Sequence, residues 1–267
     1  MTSHEVSNDA WLWPQWSAGA PLARVGSVMS CRQGGVSAPP FDSLNMGVAV
    51  GDDPNHVAAN RERFRQVAAA QPVFFKQVHG NAVVRLTATH AQADAPVLEA
   101  DACVTTEAGL ACTIQVADCL PVLFAAPHGV AVGAAHAGWR GLAGGVLEAT
   151  AHAVSELAGC NPAALFVWLG PCIGPRRFEV GADVLEGFGV AAVAGASTPR
   201  FVAQAENAAS APKWLADLPG LARDRLQATG IKHISGGHWC TVEDASRFFS
   251  FRRDRITGRM AAAIWIL

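Results

Sequence analysis

The chain has 267 residues, of which 51% are hydrophobic and 16% are charged, and its formal net charge is -2. This length is sufficient for one large domain with a sizeable buried core. Because there is no basic excess to hold a polyanion, nucleic acid is not expected as the principal partner. No apolar run reaches the roughly 20 residues that a membrane helix needs, so we expect no membrane partner.

The cysteine count and the N-terminal segment indicate the cellular compartment in which the protein is expected. Seven cysteines in a chain of this length do not form the pattern of a disulfide framework. The first sixteen residues contain three tryptophans and lack the basic head and long apolar core of a secretory signal. We therefore expect a cytoplasmic protein with reduced thiols.

The first predicted elements are a strand over residues 24–37, which runs into a Gly34-Gly35 turn, and a helix from Asp53 to about Ala69. Aspartate at the start suits the N-cap, and the proline that follows suits the first helical position. Later runs rich in Val, Ile, Leu, Phe and Thr predict strands at 73–78, 82–87, 102–106, 110–117, 121–126, 129–135 and 164–169. A helix is predicted from Leu142 to Gly159, two more near 179–188 and 214–228, and closing strands at 231–235 and 259–266.

This order of elements predicts the fold class. Strands grouped in runs, with several helices, favour an α+β layered sandwich over a regular βαβ alternation. The chain has no low-complexity tract, repeat or charged linker, so we expect a single domain over residues 1–267. The Ala/Ser-rich stretch from Ala191 to Pro212 is predicted to be a surface excursion.

One arginine has an unusual position on the first predicted helix. Arg61 shares a helical face with Val57, Phe64 and Ala68. A guanidinium on an apolar face indicates a partner, either an anionic ligand or a carboxylate in a structural salt bridge.

The main candidate site combines one thiol with two imidazoles. His79, Cys119 and His136 each lie at the end of a predicted strand, where side chains from separate segments meet. They predict either a three-ligand metal site or a Cys/His pair; the structural alternative is a buried cysteine and two capping histidines. Three ligands would leave a fourth zinc position open for water or substrate, as in catalytic zinc sites.

Other segments offer charge. The sequence Gly138-Trp139-Arg140-Gly141 places backbone amides and a guanidinium near a helix start, which suits an anion, although glycines used for tight packing explain it equally well. A C-terminal group of arginines is interpreted as a solvated face, with contact to a ligand as the alternative; its members are Arg247, Arg252, Arg253, Arg255 and Arg259.

Several of these segments recur together in one known family. They are Arg32–Ser37, Ser43–Gly47, Gly51–Pro54, Asn60-Arg61, Gln77–Gly80, Ala117–Pro121, His136–Gly141, Gly170–Pro175 and Arg247–Asp254. In this order they resemble the YfiH-like family, variously called laccase-domain proteins, polyphenol oxidases and purine nucleoside phosphorylases. The resemblance covers nearly the whole chain.

The resemblance implies a layered α/β/β/α sandwich and a zinc ion bound by His79, Cys119 and His136. It also implies purine nucleoside phosphorylase activity on adenosine, inosine, guanosine and methylthioadenosine, with adenosine deaminase activity. The expected partners are therefore purine nucleosides and phosphate.

The resemblance and the residues together give roles to five further side chains. Arg61 resembles the family's substrate- or phosphate-contacting residue, and Arg140 is the second candidate for phosphate. Asp118 is expected to shuttle protons or to orient a histidine ligand. Asn45 and Gln77, which lie in matching segments, are expected to bind substrate.

Three alternatives stay open. The first is a copper-dependent polyphenol oxidase, since copper is the alternative metal at a His/Cys/His site; multicopper chemistry is not supported, because the nine histidines include no His-x-His pair. A metal-free cysteine hydrolase would use Cys119 as nucleophile and His136 as base on an amide. A metal-dependent binding protein without turnover is the third. The sequence specifies neither a preferred nucleoside nor an oligomeric state.

Overall fold

The computed structural model describes residues 10–92, 94–205 and 211–267. The strands of these ranges, in chain order, are β1 Trp11–Leu12, β2 Val25–Ser30, β3 Gln71–Val73, β4 Val83–Arg85, β5 Ala102–Thr105, β6 Leu110–Val116, β7 Leu120–Ala125, β8 Val132–Ala137, β9 Phe166–Leu169, β10 Glu179–Val180, β11 Phe201–Ala203, β12 Trp214–Ala216, β13 His233–Gly236 and β14 Met260–Ile266. The helices are α1 Pro54–Ala68, α2 Trp139–Ala143, α3 Val146–Ala158, α4 Ala182–Gly187, α5 Leu218–Ala228 and α6 Phe251–Asp254.

The strands form two large mixed sheets and one small antiparallel sheet. The five-stranded sheet has the order β1-β2-β14-β6-β3, and the six-stranded sheet has the order β13-β9-β7-β8-β5-β4. In the first sheet β3 joins β6 in parallel, and in the second the parallel pairs are β13 with β9 and β4 with β5. The small sheet, β10-β12-β11, is antiparallel.

The two large sheets pack face to face, and helices cover their outer faces. Ile114 of the five-stranded sheet and Trp168 of the six-stranded sheet belong to the same buried cluster between them. Phe64 of α1 packs on the outside of the five-stranded sheet, and Val154 of α3 packs on the outside of the six-stranded sheet. The predicted single-domain α/β/β/α sandwich is confirmed.

Burial explains the sequence pattern of the central strands. Every residue of β7, β8 and β14 is buried. A strand covered on both faces carries a continuous apolar run instead of an alternating one. The continuous apolar runs of these three strands are the pattern from which strands are predicted in the sequence.

Several predicted boundaries differ from the observed ones. The helix predicted from Asp53 is observed as α1, with Asp53 capping it by accepting the backbone N–H of Asn55 at 2.8 Å. The helix predicted from Leu142 is two helices, because the chain turns at Gly145, whose φ is 89°. The segments predicted as helices near 179–188 and 214–228 each begin with a short strand, β10 or β12.

Other predictions were too long or incomplete. The strand predicted over 24–37 ends at Ser30. The predicted surface excursion contains β11, while residues 206–210 of it lie outside the described part of the chain. No helix in the described ranges has the length and apolar character needed to cross a membrane.

Two connections between the sheets position the candidate site. The loop 74–82 leads from β3 in the five-stranded sheet to β4 in the six-stranded sheet, and the turn 117–119 leads from β6 to β7 in the same direction. The loop carries His79 and the turn carries Cys119, while His136 lies in β8. The three side chains therefore lie near the place where the chain crosses from the five-stranded to the six-stranded sheet.

Candidate metal centre

The structure brings His79, Cys119 and His136 together. Their ligand atoms all lie within 4.8 Å of one another. Nε2 of His79 is 3.8 Å from Sγ of Cys119, and the two imidazole rings meet edge to face with their centroids 4.8 Å apart. Within the described residues this is the one group of three or more His, Cys, Asp or Glu side chains so arranged.

A buried carboxylate shapes the loop that carries His79. Asp101 is 0% exposed and accepts the backbone N–H groups of Val78 at 3.1 Å, His79 at 2.9 Å and Gly80 at 2.7 Å. His79 has a φ of 62°, a left-handed conformation that is uncommon for a residue with a side chain. Three hydrogen bonds to one carboxylate hold it there.

The same carboxylate orients the second histidine. Oδ1 of Asp101 lies 2.8 Å from Nδ1 of His136. Because a carboxylate accepts, Nδ1 carries a proton, and Nε2 is the ring nitrogen that would bind a metal once it has lost its own proton. Burial raises the pKa of Asp101, but hydrogen bonds from His136 and the Gly80 amide outweigh it and lower this pKa below its usual value.

Sequence reasoning missed Asp101. The available signal was a carboxylate between two alanines, at the start of the apolar run that becomes β5. A charged residue in that place needs buried partners.

The charges of the protein favour a thiolate at Cys119. Burial raises the pKa of Cys119, but the charge of His136 and hydrogen bonds from His136 and His79 lower it to about 6. Burial lowers the pKa of His136, but the thiolate and Asp101 raise it to about 9. A thiolate is the form of cysteine that binds metals.

Glycine is required for the close approach of two ligands. A Cβ on Gly138 would lie 2.9 Å from Cδ2 of His79 and 3.1 Å from Sγ of Cys119. A Cβ on Gly141 would lie 2.6 Å from the carbonyl oxygen of Gly80. These two glycines of the 138–141 segment therefore serve tight packing, which was one of the two interpretations of that segment.

The donor set fits a single zinc ion. One thiolate and two imidazoles are ligands that zinc prefers, and three protein ligands leave a position for a reactant. Copper also binds such donors. A multicopper centre would need further imidazoles, which the described residues do not place in this cluster.

Asp118 has a different role from the histidine-orienting one expected for it. Its carboxylate accepts Thr241 Oγ1 at 2.5 Å and the backbone N–H of Arg252 at 2.6 Å. With a φ of 87°, it shapes the turn before Cys119 and fixes the C-terminal segment against that turn. The carboxylate that orients His136 is Asp101, so this part of the prediction is corrected.

Arg61 is half-buried and has no carboxylate partner among the described residues. Its Nε donates to the carbonyl of Met46 at 2.9 Å, and its Nη2 donates to Oε1 of Gln115 at 3.3 Å. The guanidinium carbon lies 3.8 Å from the centre of the Phe74 ring. Burial lowers the pKa of Arg61 to about 10, so the group stays charged at neutral pH. The structural salt bridge considered for it is not formed.

The other predicted site residues occupy varied positions. Arg140 is exposed and lies over the ring of Trp139, 4.3 Å from its centre. Both ends of the Gln77 amide bind the backbone of Gln115, at 2.7 and 2.8 Å. Asn45 is 0% exposed, and its amide binds the backbone of Gly47 and the carboxylate of Asp52. Both side chains are therefore already held by other residues of the protein.

The C-terminal arginines do not form one solvated face. Arg253 is part-buried and binds the carbonyls of Thr241 and Phe248 at 2.7 and 3.0 Å. Arg259 is also half-buried, directly before β14. Arg255 remains exposed. The solvated-face interpretation is therefore wrong for Arg253 and Arg259.

Comparisons with known proteins show which family the chain belongs to. Residues 26–267 match the family described as multi-copper polyphenol oxidoreductase laccase. A purine nucleoside phosphorylase of Pseudomonas aeruginosa is 46% identical over 97% of this chain and 99% of its own length. The purine nucleoside phosphorylase YfiH of Escherichia coli is 43% identical over 95% of this chain and 98% of its own.

Solved structures show the same architecture. A Neisseria meningitidis protein superposes with a TM-score of 0.82 at 41% identity, covering 96% of this chain and 99% of its own. The Bacillus licheniformis protein YfiH, described as hypothetical, gives a TM-score of 0.83 at 30% identity, covering 94% of this chain and 99% of its own.

Proposed function

The chain belongs to the laccase-domain, YfiH-like family, and from this premise we propose that it is a zinc-dependent purine nucleoside phosphorylase. The observation that carries the proposal is the cluster of Cys119, His79 and His136, with the ring of His136 oriented by Asp101. Gln77 and Gln115 connect this cluster to Arg61, an arginine that has no acidic partner among the described residues. The names of the relatives support the reaction. The proposed substrates are adenosine, inosine, guanosine and methylthioadenosine, each with phosphate.

The reaction needs a phosphate oxygen to attack the anomeric carbon of the ribose while the bond to the purine nitrogen breaks. The purine takes the electron pair of that bond and a proton. Bound zinc would supply a Lewis acid beside the reacting groups. Arg61 would bind phosphate and neutralise its charge, with Arg140 as the second cation. Asp101 would hold His136 in the required tautomer throughout.

Asp118 contributes by holding the ligand turn. Its two accepted hydrogen bonds tie that turn to Thr241 and Arg252. We also propose that adenosine is deaminated at the same metal as a second activity. A reducing compartment such as the cytoplasm suits the site, because Cys119 must remain a thiolate to bind zinc.

Product analysis tests this function. Protein purified without added metal, and assayed for its metal content, is incubated with adenosine in the presence and absence of phosphate. We expect adenine and ribose 1-phosphate only with phosphate, and inosine in both conditions. The Cys119→Ser variant is the control for metal dependence. Absence of free base at every pH between roughly 6 and 9, the range in which most acid–base enzymes work, would exclude phosphorolysis.

A second candidate is favoured by one observation. Asp101, His136 and Cys119 have the order of an orienting acid, a base and a nucleophile, as in thiol hydrolases. Such an enzyme would cleave an amide without metal. Chelation discriminates the two functions, since it would abolish zinc-dependent phosphorolysis and leave thiol hydrolysis active. Elemental analysis likewise distinguishes zinc from a single copper ion.

A further inference from the structure

The position of Arg259 follows from strand register. β14 pairs with β6 so that Met260 lies opposite Val116. One step further along this antiparallel pair, Arg259 lies at the level of residue 117, at the same end as Cys119. The pKa of Arg259 agrees with this placement: burial lowers it, and the charges of Cys119 and Asp118 act in the opposite direction.

The guanidinium of Arg259 has only neutral partners. Its Nη1 donates to the carbonyls of Thr257 and Gly258, at 3.0 and 3.1 Å, both from the adjoining chain. It forms no ion pair with any residue in the described ranges, and the same is true of Arg61. Two half-buried guanidinium groups that pair with no acid in the described ranges are available to an anionic ligand.

Arg259 and Arg61 are attached to the same short segment of chain. The carbonyl of Met46 accepts Nε of Arg61 at 2.9 Å, and the N–H of Met46 donates to the carbonyl of Arg259 at 2.9 Å. The N–H of Arg259 in turn donates to Oδ1 of Asn45 at 2.8 Å. The side chain of Arg259 runs past Gly47, where an added Cβ would lie 2.8 Å from its Cγ.

From this arrangement we propose that Arg61 and Arg259 together bind the phosphate that the enzyme consumes, on the side of the metal cluster formed by β6 and β14. Guanidinium groups suit this ligand because their planar forks match the oxygens of a tetrahedral anion. Buried Asn45 and Gly47 position Arg259. The proposal deepens the proposed function and rests on it for the identity of the anion.

The test compares Arg259→Lys and Arg259→Met with wild-type protein and with Arg255→Met. Arg255 is a matched control, because its guanidinium carbon lies 6.0 Å from the centre of the Phe251 ring, as does that of Arg259, yet Arg255 is exposed. Inorganic phosphate is titrated into each zinc-loaded protein by calorimetry, and KM for phosphate and for adenosine is measured. Circular dichroism melts establish folding.

We expect Arg259→Lys to weaken phosphate binding about 10- to 100-fold, the usual effect of losing a hydrogen bond to a charged group, and Arg259→Met to weaken it further. KM for phosphate should rise more than KM for adenosine. Arg255→Met should bind phosphate within about twofold of wild type, as expected for a solvent-exposed charge.

The outcomes separate this proposal from the proposed function. Wild-type affinity for phosphate in a folded Arg259→Lys or Arg259→Met protein overturns the role of Arg259, even if phosphorolysis is observed. Loss of phosphate binding in these variants, with no purine released by wild type, supports the anion site and contradicts the phosphorylase. A wild-type protein that binds no phosphate overturns both.

Discussion

The carboxylate of Asp101 lies 2.8 Å from Nδ1 of His136 and, at the same time, binds the backbone N–H of His79 at 2.9 Å. A single buried side chain thus fixes two of the three candidate metal ligands. Asp101 orients His136 through the imidazole ring and His79 through the backbone N–H.

Replacing Asp101 by Asn should therefore weaken metal binding. The variant keeps one acceptor oxygen but loses the charge and places an amide donor against backbone donors. We expect zinc affinity to fall about 10- to 100-fold, as is typical when the partner of a ligating histidine is removed. Competition with a chelator measures the affinity. Glu99→Gln is the control, because Glu99 is an exposed carboxylate that pairs with Lys76; equal affinities in both variants would contradict the role of Asp101.

A single methyl group at Gly138 should disturb the site. Gly138→Ala would place a Cβ 2.9 Å from the ring of His79, so the ring must move and zinc occupancy should drop. Gly80→Ala is matched to it, since the nearest atom to a Cβ there is 3.6 Å away. Zinc is measured by elemental analysis and folding by circular dichroism. The steric argument fails if Gly138→Ala retains as much zinc as Gly80→Ala.

Removing the thiol should strip the metal. Cys119→Ser replaces a thiolate by a neutral hydroxyl, which is a poor zinc ligand, so dialysis should leave the variant with little metal. Cys160→Ser, at a half-buried cysteine just beyond α3, controls for the loss of a sulfur atom. Full occupancy in Cys119→Ser would exclude Cys119 as a ligand.

Zinc affinity should decrease as the pH falls. The metal binds a thiolate and a neutral imidazole, while the pKa of His136 is about 9 and that of Cys119 is about 6. Between these values binding releases the proton of His136, and affinity should fall about tenfold per pH unit; below them Cys119 also releases a proton, and the decrease should become steeper still. Zinc titrations in weak buffer measure both affinity and protons released. An affinity that does not change between about pH 7 and 9 would contradict this ionisation of His136.

Arg61→Met should affect function more than stability. Since no described carboxylate would be left unpaired, we expect a loss of about 1–2 kcal/mol in the free energy of unfolding, from the Phe74 contact and the hydrogen bonds, with a strong loss of phosphate-dependent turnover. Arg200→Met is the comparison, because Arg200 pairs with Asp217 and Asp224. Urea unfolding gives the free energies. A loss of about 3–5 kcal/mol with turnover intact would make Arg61 a structural residue.

Local signals allowed much of the fold to be predicted. Asp53 and Pro54 specify the start of α1 through the cap they form, and the apolar runs of β7, β8 and β14 record burial on both faces. The candidate metal ligands were recognisable because two residue types that bind metals interrupt such runs. These are properties of short segments, and they are visible without knowing what the segments touch.

Long-range partners were not predictable in this way. Because Asp118 precedes Cys119, the sequence predicts that it orients a histidine ligand. Its partners are instead Thr241 and the backbone of Arg252, which are 123 and 134 residues away. Asp101 reaches His136 across 35 residues. The burial of Arg259 depends on the pairing of β14 with β6. The sequence alone does not show this pairing, so it does not distinguish Arg259 from the exposed arginines near it.

The loop that carries His79 is bound to both large sheets, since Gln77 holds the backbone of Gln115 in β6 and Asp101 at the start of β5 holds the next three residues. A metal ion joining His79 to Cys119 and His136 would therefore cross-link the two layers of the sandwich, as a disulfide joins distant parts of a chain. A ligand that binds only the native state stabilises it, and the stabilisation grows with the logarithm of the free ligand concentration once that exceeds Kd. The stability of the folded protein would then depend on the concentration of the metal, and a shortage of that metal would destabilise the protein as well as impair the proposed reaction.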